Sequence, residues 1–232
     1  LSVEKRPMRL ESCFSKFSRK ININTIKCYL KIIRCKQYYL LLLLSSALLV
    51  SIWFWKRTIS GHGGIPVFGK IEIPVQPFYQ DDPRWCNDLL GISSDTIGSA
   101  GCALSSAAMI LRFYGVDLDP QRLNDFLTQH NGYEGTSWIK WEVAALFPPN
   151  IAVHRYEDLP SYGLIDWNLL NGNPVIIRIR RPTGKTHFVV LVGKKGFDYL
   201  VLDPANKERS GVYPFCELGL PIEALRFYQK NK

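Results

Sequence analysis

The sequence predicts an α+β domain, with helices packed on an antiparallel β-sheet, preceded by a single transmembrane helix. Three observations predict it. An uncharged apolar run, YYLLLLLSSALLVSIWFW, occupies Tyr38 to Trp55; helix-like segments with start and stop signals follow from Cys102; and short β-branched runs, PVIIRIR, THFVVLVG and YLVLDP, cluster toward the end.

Residues 1–37 form a basic segment. They hold ten Lys and Arg against two Glu, so +8 of the chain's net charge of +9 sits there. From Lys20 to Gln37, Ile26, Leu30 and Ile33 recur at helical spacing among Lys27, Lys31 and Arg34, a pattern suited to anionic lipid and equally to a disordered basic arm. Residues 38–55 are long enough at helical rise to span most of a bilayer core, with Tyr38 and Tyr39 at one end and Trp53 and Trp55 at the other. The close flanks carry six Lys and Arg in residues 19–37 against three in residues 56–75, which predicts a cytoplasmic N-terminus and an extracytoplasmic domain. A cleaved signal peptide fits less well, because no A-x-A-like site follows the apolar run. The chain begins at Leu1, and Met8 is an alternative start. The basic charge lies beside the apolar run rather than on the folded domain, which argues against nucleic acid as a partner.

Residues 56–70, KRTISGHGGIPVFGK, read as a glycine-rich linker, and residues 71–232 as the folded domain. In the domain, CALSSAAMILRFY predicts a helix from Cys102 to Tyr114, stopped by Gly115. Asp119-Pro120 is an N-cap followed by proline at the first helical position, opening a helix through Gln129 that Asn131-Gly132 ends. TSWIKWEVAALF predicts a third helix, capped by Thr136 or Ser137 and reaching Phe147, with Trp138 and Trp141 three apart on its core face. IAVHRYE reads as a strand, SYGLIDWNLLNG as a fourth helix, and PVIIRIR as the first strand of a sheet that HFVVLVG and YLVLDP complete.

The chemistry lies in the order cysteine, histidine, carboxylate. Cys102 opens a helix after the small-residue loop Gly98-Ser99-Ala100-Gly101, where unpaired N–H groups favour a thiolate and glycine permits close approach of a substrate. THFVVLVG and DYLVLDP flank Lys194-Lys195-Gly196 and predict a β-hairpin; a turn at Lys195-Gly196 sets Pro204 opposite His187, one position from Asp203. An aspartate beside an imidazole fixes its tautomer and stabilises the imidazolium, which is what a Cys-His pair needs. An oxyanion hole of this type also uses a side-chain amide, for which Gln80 and Gln76 both qualify. His62, His130 and His154 read as non-catalytic. Of the remaining cysteines, Cys13, Cys28 and Cys35 precede the apolar run, while Cys86 and Cys216 follow it and would be free to pair in an oxidising compartment. No C-x-x-C spacing occurs, which argues against a structural zinc site, and no cofactor is expected.

Together IPVQPFYQDDPRW, TIGSAGCALSSAAMILRFYGVDLDPQRLN, GNPVIIRIRR, HFVVLVG and VLDPAN resemble the papain-like cysteine peptidases grouped with the double-glycine leader (bacteriocin-processing) peptidases, in their stand-alone, peptidase-like branch. The resemblance covers roughly residues 72–205 and implies a papain-like fold with the cysteine helix against the sheet. It implies Cys102 as nucleophile, His187 as general base and acid, Asp203 as orienting group and Gln80 as oxyanion donor. The exporter peptidases carry their glutamine a few residues before the cysteine, where this chain has Thr96. The expected function is a membrane-anchored cysteine peptidase acting on a peptide or protein through an acyl-thioester. Competing readings are a catalytically silent module binding a peptide or cell-wall partner, an amidase or transpeptidase, and a zinc site built on Cys102, His187 and Asp203. No motif fixes the oligomeric state.

Overall fold

The computed structural model describes residues 23–55, 58–205 and 211–231. The chain divides into two units, Leu1–Phe54 and Trp55–Lys232. Residues 1–22 of the basic segment lie outside the described residues.

Helix α1 (Ile23–Trp55) is longer than the expected 38–55 because the basic stretch before Tyr38 continues the same helix. Within it Leu30–Ile52 is long and apolar enough to cross a membrane. At a rise of about 1.5 Å per residue it extends roughly 35 Å, more than a hydrocarbon core. Its serines satisfy their hydroxyls within the helix: Ser45, Ser46 and Ser51 donate back to the carbonyls of Leu42, Leu43 and Ala47 at 2.8–2.9 Å.

The second unit is the expected α+β domain. It runs β1 (His62–Glu72), α2 (Ile97–Ala100), α3 (Cys102–Phe113), α4 (Pro120–Gln129), β2 (Tyr133–Glu134), β3 (Trp138–Ile139), α5 (Trp141–Ala144), β4 (Ala152–Asp158), α6 (Tyr162–Leu170), β5 (Val175–Arg180), β6 (Thr186–Leu202), β7 (Tyr213–Pro214) and β8 (Ile222–Lys230). The main sheet has the order β1-β6-β5-β8-β4, with β7 also on β6, and every pairing is antiparallel. Helix α3 packs on β6, and its residues Leu104 through Leu111 are all buried, so it is the central helix of the core. The Asp119 carboxylate accepts from the Arg122 N–H at the start of α4, and Asn131, at φ +53°, ends the run after it, as the sequence predicts.

Two expectations need correction, and one strand is new. The segment read as a linker is in large part strand β1, and Ile59 already bridges Ile222. Its glycines are a steric requirement rather than slack. A Cβ on Gly63 would lie 2.6 Å from the Tyr162 ring, and one on Gly64 would lie 2.2 Å from Asp166 Oδ2. The expected third helix shrinks to α5, because Tyr133-Glu134 and Trp138-Ile139 pair as a small hairpin around Gly135 at φ +59°. Strand β8, which pairs with both β5 and β4, is not anticipated by any sequence signal.

Strand β1 is fastened by a buried ion pair. Lys194 Nζ donates to Asp166 Oδ1 at 2.6 Å and to the Gly63 carbonyl at 2.8 Å, while Tyr199 Oη and the Ile65 N–H also donate to Asp166. Lys194 and Asp166 are only 2% and 3% exposed, so each charge depends on the other. Asp166→Ala is expected to destabilise the domain by about 3–5 kcal/mol in thermal or urea unfolding, because it strands a buried ammonium. The double variant Asp166→Ala/Lys194→Met should recover most of that loss.

Candidate active site

The site is assembled from four places in the sequence, and each is held by its local structure. Cys102 is the first residue of α3. The Gly101 before it has no room for a side chain, since a Cβ would stand 2.4 Å from the Ile97 carbonyl oxygen. His187 lies on β6, opposite Ile179 of β5. Asp203 follows the last residue of β6.

Sixteen extended residues would place His187 and Asp203 roughly 50 Å apart. His187 Nε2 is instead 2.7 Å from Asp203 Oδ1, so β6 doubles back within its length. Gly196, at φ +58°, is the residue of that stretch in the left-handed region, as the sequence-based turn at Lys195-Gly196 requires. Both residues are 4% exposed. Asp203 Oδ1 also accepts from the Ala205 N–H at 2.8 Å, and Tyr213 Oη reaches Oδ2 at 3.4 Å.

The Cys102 thiol also acts on the imidazole and favours its protonated form. With Nε2 committed to Asp203, Nδ1 is the ring nitrogen left to serve the thiol. Burial alone would lower the His187 pKa, but the hydrogen bonds and charges of Asp203 and Cys102 outweigh it and push it from 6.5 up to about 9. For Asp203, burial would raise the pKa, and the His187 contact, the Ala205 N–H and the Arg181 charge together bring it below the ordinary value. In the zinc reading the imidazole nitrogen and the carboxylate would face a metal; here they bond each other. Among the described residues no group of three His, Cys, Asp or Glu is placed to hold a metal ion.

Gln80 is brought to the same place and Gln76 is not. Gln80 is buried, its N–H donates to the Pro204 carbonyl at 2.8 Å, and its side-chain Nε2 donates to the Gly98 carbonyl at 2.6 Å. One N–H of that amide is left over. Gln76 is exposed, and Thr96 serves as the N-cap of α2, its hydroxyl accepting from the Ser99 N–H. Cys102, His187 and Gln80 open on one cleft of about 400 Å³, also lined by Asp95, Ser99, Trp138, Arg181, Lys185 and Phe188.

Trp138 corrects the expectation of a core residue: it is 55% exposed and forms part of the cleft, while Trp141 is buried. The Gly135 turn between Tyr-Glu and Trp-Ile was the signal that could have revealed it. Arg181 and Lys185 carry no motif and were not singled out. Of the other histidines, His130 stacks on Phe126, His154 lies against Tyr228, and His62, read as linker, pairs with Asp198 at 2.7 Å on β1. Cys86 and Cys216 are both free thiols rather than a disulfide.

The raised His187 pKa has a consequence for stability. The group holds its proton more tightly in the folded chain than in the unfolded one, so its contribution is complete below about pH 6.5 and is lost as pH rises through about 9. The melting-temperature gap between wild type and His187→Gln is therefore expected to be widest near pH 6 and to close above about pH 9.

The family model described as the Peptidase_C39 like family matches residues 72–219. A crystal structure described as that of a C39-like peptidase from Bacillus anthracis superposes with a TM-score of 0.46 at 17% identity, covering 71% of this chain and 100% of that one. No curated protein matches the sequence.

Proposed function

Since the chain belongs to the Peptidase_C39 like family, we propose that it is a cysteine peptidase cutting peptide bonds through Cys102 and His187, with Asp203 as positioning residue. The observation that carries this reading is the shared imidazole: His187 bonds Asp203 at 2.7 Å through Nε2, and the Cys102 thiol, on the same open cleft, acts with Asp203 to hold the ring protonated. The Cys102 thiolate attacks the carbonyl carbon, and the oxyanion is received by the Cys102 N–H and the spare N–H of Gln80. Protonated His187 gives its proton to the leaving amine, which departs and leaves an acyl-thioester on Cys102. His187, now neutral, takes a proton from water, whose oxygen adds to the thioester, and the acid is released as the Cys102 thiolate leaves, restoring the thiolate–imidazolium pair. The apolar span Leu30–Ile52 and the basic residues before it support a membrane anchor with its N-terminus in the cytoplasm and the domain 71–232 outside, now extended to begin at β1.

Alkylation of Cys102 by iodoacetamide near pH 6.5 is expected to be fast in wild type and slow in His187→Ala, and Cys102→Ala should cleave nothing. A thiol that reacts equally in both proteins, with no turnover, would point instead to a binding module. Gln80→Ala should lower kcat by about 10²–10³ with little change in KM, measured on any peptide the wild type cleaves.

A further inference from the structure

The cleft is charged unevenly, in a way the reaction does not use. The wall that carries His187 ends in the turn between β5 and β6, and the two exposed cations of that turn, Arg181 and Lys185, both line the cleft. The turn is stiff. Arg181 N–H donates to the Lys185 carbonyl at 2.9 Å, Gly184 N–H to the Arg181 carbonyl at 2.8 Å, and Arg180 ties the Gly184 carbonyl at 3.1 Å while gripping Glu223 through two bonds. Among the described residues neither the Arg181 nor the Lys185 side chain forms a hydrogen bond or ion pair. The carboxylate that Arg181 acts on is Asp203, already engaged with His187. Exposed cations of this kind add next to nothing to folding, yet on a preorganised rim they select and steer a charged ligand. Asp95, the residue before the α2 N-cap on the chain that leads into Cys102, also lines the cleft.

We infer that the cleft selects a peptide with an acidic side chain on the leaving-group side of the cut bond, held by Arg181 and Lys185. The side follows from the chemistry. His187 must reach the leaving nitrogen, so the residues after the cut bond pass along the His187 wall. An acidic side chain turned toward Asp95 would meet a like charge instead. This inference rests on the cysteine-peptidase reading.

The test uses the full chain in detergent micelles with a synthetic mixed-sequence peptide library, cut sites being read by mass spectrometry against a Cys102→Ala control. Matched peptides carrying Glu, Gln or Lys just after the preferred bond are then compared. Glu and Asp should be enriched within the first few positions after the cut. The Glu peptide should show a KM about tenfold below that of the Lys peptide at similar kcat, with the difference shrinking as salt is raised. Lys185→Glu should reverse the order and Lys185→Gln should flatten it; Lys185 is the cleaner probe because Arg181 also acts on Asp203. Cleavage without charge preference, or a preference that survives Lys185→Glu, overturns the inference and leaves the peptidase reading standing. Cleavage of nothing, with Cys102 alkylated no faster than a free thiol, overturns both.

Discussion

The bond between His187 and Asp203 is the constraint around which the site is organised. Its 2.7 Å length across sixteen residues forces β6 to double back, and that reversal puts one arm of β6 beside β5 and brings the chain after the other beside Gln80. The 2.8 Å bond from Gln80 N–H to the Pro204 carbonyl then draws the loop before Trp85 onto the same corner. Trp85, buried, fixes the far end of that loop by donating from its indole to the Tyr79 carbonyl at 2.8 Å. A single backbone reversal thus carries both the orienting carboxylate and the amide of the candidate oxyanion hole.

The cysteine reaches this corner from the opposite direction, through core packing. Eight consecutive buried residues of α3 leave the helix no freedom to rotate or slide, and the Tyr114 hydroxyl at its end donates to the Tyr228 carbonyl at 2.9 Å. The His187 wall is stiffened from behind. Arg226 packs its guanidinium over both Trp141 and Phe188, the residue after His187, and is bound by Glu157. The sulfur and the imidazole are therefore each carried by a regular element rather than by a loop, which is what a reaction sensitive to misplacement of an ångström requires.

What the sequence made legible was what short-range physics determines. The α3 start, the Asp119 cap and the turn at Gly196 all follow from a few adjacent residues, and the turn in particular let simple pairing arithmetic bring His187 to the neighbourhood of Asp203. Strand β1 was not legible, because Gly63 and Gly64 look like slack until Tyr162 and Asp166, about a hundred residues away, are seen to fill the space beside them. Strand β8 was missed because IEALRFYQK has no clean alternation: it is buried from Ala224 to Tyr228, being covered on both faces in the middle of the sheet. Trp138 was misread because the spacing to Trp141 fits a helix, whereas Gly135 bends the chain into a hairpin first.

Gly63-Gly64 follows the apolar helix in sequence and lies within the first strand of the domain, so a cut there would part the domain from that helix. These residues are not presented as a loose peptide: the Gly63 carbonyl is bonded to Lys194, and Ile65 to Asp166. A protease binds its substrate as an extended, unpaired segment, so cutting here must wait for the sheet edge to open. Cutting at this pair would then be governed by the fraction of time that β1 spends detached, so the local stability of one edge strand, rather than the fit of two glycines to a protease pocket, would set its rate.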